Sequence, residues 1–181
     1  MKPKNLLSVY QGAGALELPS LEADRRFKPL KSHEIDNLRS LCNILSIYGC
    51  TVADFDGFYV SYAIDRISKE FDLLRFGTNC IINIELKAAF ERPNKQAKIL
   101  KQMRANAHYL SFLGRPIHIF TYADADGFYM YDPVDDSLTR TTPAVVAQAL
   151  AAQEVDLSLD PDLAFVPANY LVSPFRDSGR F

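Results

Sequence analysis

A fold of the α/β class is predicted by the order in which helical and strand patterns follow each other. One amphipathic helix comes first, three strand-like segments follow it, and a long helix then leads into further strands. Asp-Gly turn residues precede two of the aromatic strands. We therefore expect one domain over residues 1–181, with its core at about 32–121 and a hairpin, helix and tail at 122–181.

Length and composition agree with a single globular domain. The chain has 181 residues, of which 48% are hydrophobic and 23% charged, and this is enough apolar material for a sizeable core. Because the net charge is −2, any nucleic-acid binding must come from a local basic patch.

Cysteine use and hydropathy bear on the compartment. The three cysteines show no Cys-x-x-Cys spacing, which favours a reducing compartment over a disulfide framework or a zinc site. No apolar run is long enough to cross a membrane. We expect a cytoplasmic protein without a membrane partner.

The first strong helical pattern covers residues 32–48, with Ser32 as a candidate N-cap and Gly49 as its stop. Glu34 lies in line with the apolar stripe of this helix and so borders its buried face. Two interpretations of Glu34 stay open. It is either an additional carboxylate at a metal or a first-turn acid favoured by the helix dipole.

Two segments, one before and one after this helix, are expected to be strands. Residues 6–10 form a short candidate strand, and residues 58–64, FYVSYAI, show strand-like alternation. Side chains alternate between the two faces of a strand. The alternation places Phe58, Val60 and Tyr62 opposite Tyr59, Ser61 and Ala63.

Residues 70–87, EFDLLRFGTNCIINIELK, indicate two strands joined by a tight turn. Alternation in the second strand puts Glu85 and Lys87 on one face, next to an apolar body. The members of that face are Ile81, Asn83, Glu85 and Lys87, and the opposite face carries Cys80, Ile82, Ile84 and Leu86.

The turn decides where Asp72 lies. A two-residue loop of Thr78-Asn79 puts Asp72 directly opposite Glu85, with Cβ atoms about 5 Å apart. A loop of Gly77-Thr78 makes Glu85 a diagonal neighbour on the same face. A plain three-residue loop puts the two acids on opposite faces, barring a bulge.

Two opposed carboxylates repel each other unless a cation lies between them. Mg²⁺ suits one or two carboxylates together with water and substrate phosphate. A nearby lysine positions a water or neutralises developing charge. The competing interpretation is a cross-strand charge cluster in which Lys87 pairs with Glu85 and Asp72 is solvated.

A long helix is predicted from about Asn94 to Leu113. It is the one concentrated basic segment of the sequence, with a cationic residue at every third position near its start. This basic row indicates either contacts to a phosphate backbone or a solvated amphipathic helix. One ridge of the helix carries Lys95, Lys98, Gln102, Asn106 and Tyr109.

The remaining elements complete the pattern. Strands are expected at 116–123, at 127–132 and near 137–140, with turns between them. An alanine-rich helix with proline at its start follows at 143–153.

The order helix, strand, strand with Asp72, strand with Glu85-x-Lys87, helix, strand resembles the PD-(D/E)XK nuclease superfamily. Its signature is an acid on the second core strand and an acid-x-lysine on the third, and these positions match one for one. Phe71 stands where the strict motif has proline. The resemblance implies a restriction-endonuclease-like αβββαβ core over residues 32–121, with a central mixed sheet flanked by helices.

The same resemblance implies metal-dependent hydrolysis of DNA phosphodiesters, with RNA not excluded. Lys87 would orient or help deprotonate the attacking water. A polar residue on the following helix is common in the superfamily, and Gln102 or Gln96 matches it. The implied ligands of Mg²⁺ or Mn²⁺ are Asp72, Glu85, the carbonyl of Leu86 and Glu34, and the implied substrate contacts are Gln102, Lys95, Lys98 and Tyr109.

A narrower resemblance links EFDLLRF, IELK and the following helix to nuclease-related domains at the front of superfamily 1 helicase-like ATPases. The closing YLVSPF is similar to the stretch that joins such a domain to its motor. The chain itself has no GxxxxGK[ST] motif. We therefore expect a fragment or a standalone relative, with a helicase-like motor or a second copy as partner.

Two other functions stay open. The nuclease fold serves in one of them as a non-catalytic docking domain for nucleic acid or protein. In the other, the chain is a small-molecule-binding α/β domain in which Asp72 and Lys87 form a structural ion pair.

Overall fold

The computed structural model describes residues 1–12, 30–64, 69–90 and 93–165. The expected C-terminal tail beyond residue 165, including YLVSPF, lies outside the described residues. The helices are α1 (Leu6–Gly12), α2 (Ser32–Ile47), α3 (Pro93–Ser111), α4 (Pro143–Ala152) and α5 (Pro161–Ala164), with a 3₁₀ turn at Val52–Phe55. The strands are β1 (Phe58–Ile64), β2 (Lys69–Phe76), β3 (Ile81–Leu86), β4 (Ile117–Ala123), β5 (Gly127–Asp132) and β6 (Ser137–Thr141).

The six strands form one mixed sheet in chain order, β1 to β6. All neighbouring pairs are antiparallel except β3 and β4, which are parallel. A parallel pair requires a crossover connection, and α3 supplies it. The predicted class, helices with a mixed sheet, is therefore confirmed, as is the order of elements from α2 to β4.

Helices cover both faces of the sheet. On one face α1, α2 and α4 pack through Leu6, Leu38 and Leu150 against strand residues such as Ile84. On the other face α3 packs through Leu110 and Met103. The side chains that alternate out of β3 therefore meet α2 on one side and α3 on the other.

The first expected strand, residues 6–10, is wrong, because these residues belong to helix α1. Asn5 starts the helix, since its Oδ1 accepts a hydrogen bond from the Leu7 N–H at 3.0 Å. The start of α2 also differs by one residue, with Lys31 and not Ser32 at the N-cap.

The strict alternation expected in β1 is wrong after Ser61. This residue has a φ of 51°, a conformation that is uncommon outside glycine. The turn of the backbone places Tyr62 in the same apolar cluster as Tyr59, although the two were expected on opposite faces. The sequence carries no glycine here to mark the irregularity.

Within the described residues, no helix combines the length and the apolar character needed to cross a bilayer.

Candidate metal-binding and catalytic site

The register of the β2–β3 hairpin follows the first of the three possible turns. Leu73 pairs with Ile84 and Phe76 with Ile81. The Gly77 N–H donates to the Cys80 carbonyl at 2.9 Å and closes the loop. One further step along this register places Asp72 across from Glu85, as the two-residue loop requires.

Beyond Leu73 the two strands are joined by carboxylate contacts. The Leu86 N–H donates to Asp72 Oδ2 at 2.8 Å. In return, the Asp72 N–H lies 3.4 Å from Glu85 Oε1. Each acid therefore holds the backbone of the opposite strand, and both carboxylates are fixed at the end of the hairpin.

Lys87 contacts both acids. Its Nζ lies 3.3 Å from Asp72 Oδ2 and 3.1 Å from Glu85 Oε2. The side chain of Glu85 is fully buried, while those of Asp72 and Lys87 keep 16% and 17% of their surface. The three side chains therefore converge, as the two-residue loop requires, and Asp72 and Lys87 are the members that solvent reaches.

The backbone of Lys87 is fixed from two other elements. Its N–H donates to the Tyr122 carbonyl of β4 at 2.8 Å. Its carbonyl accepts a hydrogen bond from Asn37 Nδ2 of α2 at 3.1 Å. The lysine therefore leaves the sheet from a defined point.

The three charges set one another's protonation. Burial, and after it the Glu85 carboxylate, raises the pKa of Asp72 to about 7. Burial also opposes ionisation of Glu85, but Lys87, Lys69 and its hydrogen bonds outweigh burial, so the pKa of Glu85 is lowered. Burial opposes the charge on Lys87 too, but the two carboxylates outweigh it and raise the lysine pKa. The site thus holds an ionised Glu85, a protonated Lys87 and an Asp72 that titrates near neutrality.

Helix α3 supplies amide groups to Glu85. Asn106 Nδ2 donates to Glu85 Oε1 at 2.9 Å, and Gln102 Nε2 donates to Oε2. Asn83, on β3 itself, donates to Oε1 at 3.2 Å. The predicted ridge of α3 therefore faces the acid at Gln102 and Asn106.

The other members of the ridge lie on either side of these contacts. Lys95 is half-buried and Lys98 is exposed, both on the turns of α3 before Gln102. Tyr109 is half-buried and packs against the apolar cluster that contains Ile81. Along α3 the two lysines thus precede the residues that contact Glu85, and the tyrosine follows them.

Glu34 caps the start of α2. Its Oε2 accepts the Lys31 N–H at 2.8 Å and its Oε1 accepts Lys31 Nζ at 3.0 Å. Glu34 is close enough to contribute to the raised pKa of Asp72. These contacts agree with the interpretation of Glu34 as a first-turn acid. Its role as a metal ligand stays a prediction.

Three residues near the acids were not assigned from the sequence. Lys69 is half-buried, its Nζ lies 5.1 Å from the centre of the Phe71 ring, and its charge helps to lower the pKa of Glu85. Asn83 and Asn106 are fully buried. Alternation showed that Asn83 shares a face with Glu85, and the ridge of α3 contained Asn106. Both amides were therefore visible in the sequence patterns, without a partner assigned to them.

The donor set at this end of the sheet fits a hard divalent cation. Among the described residues no cluster of three or more histidine, cysteine or acidic side chains is placed to hold a metal. Two carboxylates are nevertheless the usual protein contribution to Mg²⁺, which keeps several waters. The Leu86 carbonyl stays a predicted further ligand, and the contact observed at this residue is its N–H donating to Asp72.

No protein-family model, no curated protein and no solved structure matches this chain.

Proposed function

We propose that the protein is a metal-dependent nuclease that hydrolyses DNA phosphodiester bonds. The observation that carries the proposal is the convergence of Asp72, Glu85 and Lys87, from two adjacent strands, at one partly exposed point. This is the arrangement that the PD-(D/E)XK resemblance implies. The order of elements from α2 to β4 supports a restriction-endonuclease-like core.

Asp72 and Glu85 would hold Mg²⁺ or Mn²⁺, with the Leu86 carbonyl and Glu34 as the further ligands that the resemblance implies. A divalent cation at this place would polarise the phosphodiester and activate a water for attack. The pKa of Asp72 is about 7. The carboxyl group must therefore release its proton before a cation can bind.

Lys87 acts in this proposal as a hydrogen-bond donor. Without a metal the two carboxylates outweigh burial and raise the pKa of Lys87, so Nζ is protonated and donates hydrogen bonds. It therefore orients the attacking water and neutralises charge that develops on the phosphate. Of the two roles that the resemblance implies for the lysine, orientation of the water is the one that a protonated Nζ can perform.

The start of α3 is proposed as the DNA-contacting surface. Lys98 is exposed, Lys95 is half-buried, and both precede Gln102 on the ridge that reaches Glu85. Lysine contacts to phosphates supply affinity without sequence specificity. Tyr109 is proposed as a substrate contact only because the resemblance implies it.

The test is incubation of the purified chain with linear, circular and single-stranded DNA in Mg²⁺ or Mn²⁺. We expect cleavage by the wild type and none by Glu85→Ala or Asp72→Ala, with folding checked by circular dichroism. Retained cleavage in both variants would contradict the proposed nuclease site. The product pattern separates endonuclease from exonuclease activity.

A non-catalytic docking domain is the second candidate. The observation that favours it is the pairing of Lys87 with both carboxylates, which offsets one of the two negative charges without a metal ion. If the protein is a docking domain, its affinity for DNA or protein should be the same in Mg²⁺ and in EDTA. A helicase-like motor or a second copy of the chain is the partner that the resemblance implies.

A further inference from the structure

The two oxygens of the Glu85 carboxylate have different surroundings. Oε1 accepts hydrogen bonds from Asn106 Nδ2 at 2.9 Å and from Asn83 Nδ2 at 3.2 Å. Oε2 accepts from Lys87 Nζ at 3.1 Å and from Gln102. Two fully buried asparagine amides therefore hold Oε1, whereas Oε2 contacts the lysine and the partly buried Gln102.

Asn83 and Asn106, here called the amide clamp, are fixed by each other. Asn106 Nδ2 also donates to Asn83 Oδ1 at 2.6 Å. Asn83 Nδ2 also donates to the Leu73 carbonyl of β2 at 3.0 Å. The clamp thus connects β2, β3 and α3 behind the carboxylate, and it leaves Glu85 little freedom to rotate.

Packing alone does not explain why the two buried positions of the clamp carry asparagine. Both asparagines are fully buried, and Asn106 Oδ1 has no hydrogen-bond partner among the described residues. A buried acceptor without a partner lowers stability. An apolar side chain of similar size at position 106 would avoid this loss. The donor function of Asn106 toward Glu85 therefore explains the residue better than core filling does.

We infer that Asn106, acting through the amide clamp, is a positioning residue that turns Glu85 Oε2 toward the divalent cation. The inference rests on the proposed function, since it assumes that Glu85 binds a metal. Groups that orient metal ligands typically change metal affinity by about 10- to 100-fold when they are removed. Asn106 is fully buried and contacts the proposed ligand Glu85, so its loss should weaken metal binding more than the chemical step.

The inference is tested by titrating the full chain with Mn²⁺ in a calorimeter, without DNA. We expect Asn106→Leu to bind Mn²⁺ about 10- to 100-fold more weakly than the wild type, and Glu85→Gln to lose binding. Asn106→Ala, which leaves room for water, provides a second variant if the leucine does not fold. Cleavage by the Asn106 variants should approach the wild-type rate when Mn²⁺ is saturating.

Thr121→Val is the matched control. Thr121 of β4 lies beside Glu85 in the parallel register and is fully buried. Its Oγ1 has no hydrogen-bond partner within the described part of the chain. The substitution therefore disturbs the same neighbourhood without removing a donor to the carboxylate, and we expect wild-type Mn²⁺ affinity.

The outcomes separate the inference from the proposed function. Wild-type affinity in both Asn106 variants, with binding lost in Glu85→Gln, overturns the inference and leaves the proposed function standing. An equal loss in Thr121→Val, or a cleavage defect that saturating Mn²⁺ does not restore, also overturns the inference. If the wild type binds no Mn²⁺, the proposed metal site and the inference fail together.

Discussion

The two ends of the β2–β3 hairpin both bury charged or polar side chains, but they satisfy them differently. At the turn end, Arg75 is 2% exposed and donates to the Leu150 carbonyl at 3.3 Å. Gln153 donates to the carbonyls of Arg75 at 3.1 Å and Cys80 at 2.9 Å. Arg75 and Gln153 thus donate to backbone oxygens, and these hydrogen bonds hold the end of α4 against the turn.

At the open end, the acids accept from backbone N–H groups as well, but they also contact the charged side chain of Lys87. Asp72, Glu85 and Lys87 contact one another, and two of them keep some exposure to solvent. Side-chain contacts can be exchanged for a ligand while the sheet stays intact, whereas backbone contacts cannot be exchanged without moving an element. The turn end therefore contributes to stability, and the open end has side-chain contacts that a ligand can replace.

The largest expected effect distinguishes two lysines of the open end. Lys87 contacts both acids, whereas Lys69 acts on Glu85 through its charge. We expect Lys87→Met to reduce the DNA cleavage rate by about a hundred- to ten-thousandfold. Lys69→Met should reduce it far less, and cleavage rates at saturating Mg²⁺ provide the measurement. Equal losses in the two variants would show that general positive charge, and not the Lys87 contact, matters.

The next prediction concerns the turn end. A Cβ at Gly77 would lie 2.8 Å from the Glu154 carbonyl oxygen and 2.9 Å from that of Cys80. Because both are backbone atoms, we expect Gly77→Ala to lower the free energy of unfolding by about 3 kcal/mol. Urea denaturation measures it.

Gly114→Ala is the control for Gly77→Ala. Gly114 has a φ of 66°, and a Cβ there meets nothing within 4 Å. Only the backbone conformation opposes that change, at about 1–2 kcal/mol. A larger loss for Gly114→Ala than for Gly77→Ala would contradict the tight packing assigned to the turn end.

Asp72 makes the stability of the open end depend on pH. Burial and Glu85 raise its pKa from 3.8 to about 7, so the folded state keeps a proton that the unfolded state releases. The free energy of unfolding should therefore fall as pH rises between these two values. Each unit of pKa corresponds to about 1.4 kcal/mol.

Asp72→Asn removes this titration while an oxygen remains to accept the Leu86 N–H. We expect the variant to be more stable than the wild type at pH 8, by about 2 kcal/mol after allowance for relaxation, and to lose this advantage near pH 4. Urea denaturation across pH 4–8 measures the difference. An advantage that grows toward acidic pH would contradict the raised pKa of Asp72.

The smallest expected effect lies at the start of α3. Lys95→Ala and Lys98→Ala should each reduce the slope of log K against log salt for duplex DNA by about 0.9 if each lysine contacts one phosphate. Arg39→Ala is a suitable control, since Arg39 is a half-exposed cation on α2, on the opposite side of the sheet. Equal slopes for the lysine variants and the wild type would show that the start of α3 is not the DNA-contacting surface.

The regular parts of the fold could be predicted because their patterns are periodic. Strand β3 alternates without interruption, so the faces of Glu85 and Asn83 followed directly from sequence. The turn left three registers open, and the Gly77–Cys80 hydrogen bond selects one of them. The convergence of the carboxylates depended on that choice.

The irregular parts could not be predicted because their causes are not periodic. The positive φ of Ser61 reverses the alternation of β1 without a glycine in the sequence. Helix α1 is too short to show a helical period. The clamp required knowledge of how α3 lies across β3, since Asn83 and Asn106 are 23 residues apart in the chain.

The most direct test of the account is a crystal soaked in Mn²⁺ and measured at the manganese absorption edge. We expect one anomalous peak in contact with Asp72 and Glu85 Oε2, with Lys87 Nζ moved from between the carboxylates. A lysine that still bridges both acids, with no peak beside them, would contradict the claim that the open end of the hairpin is a cation site.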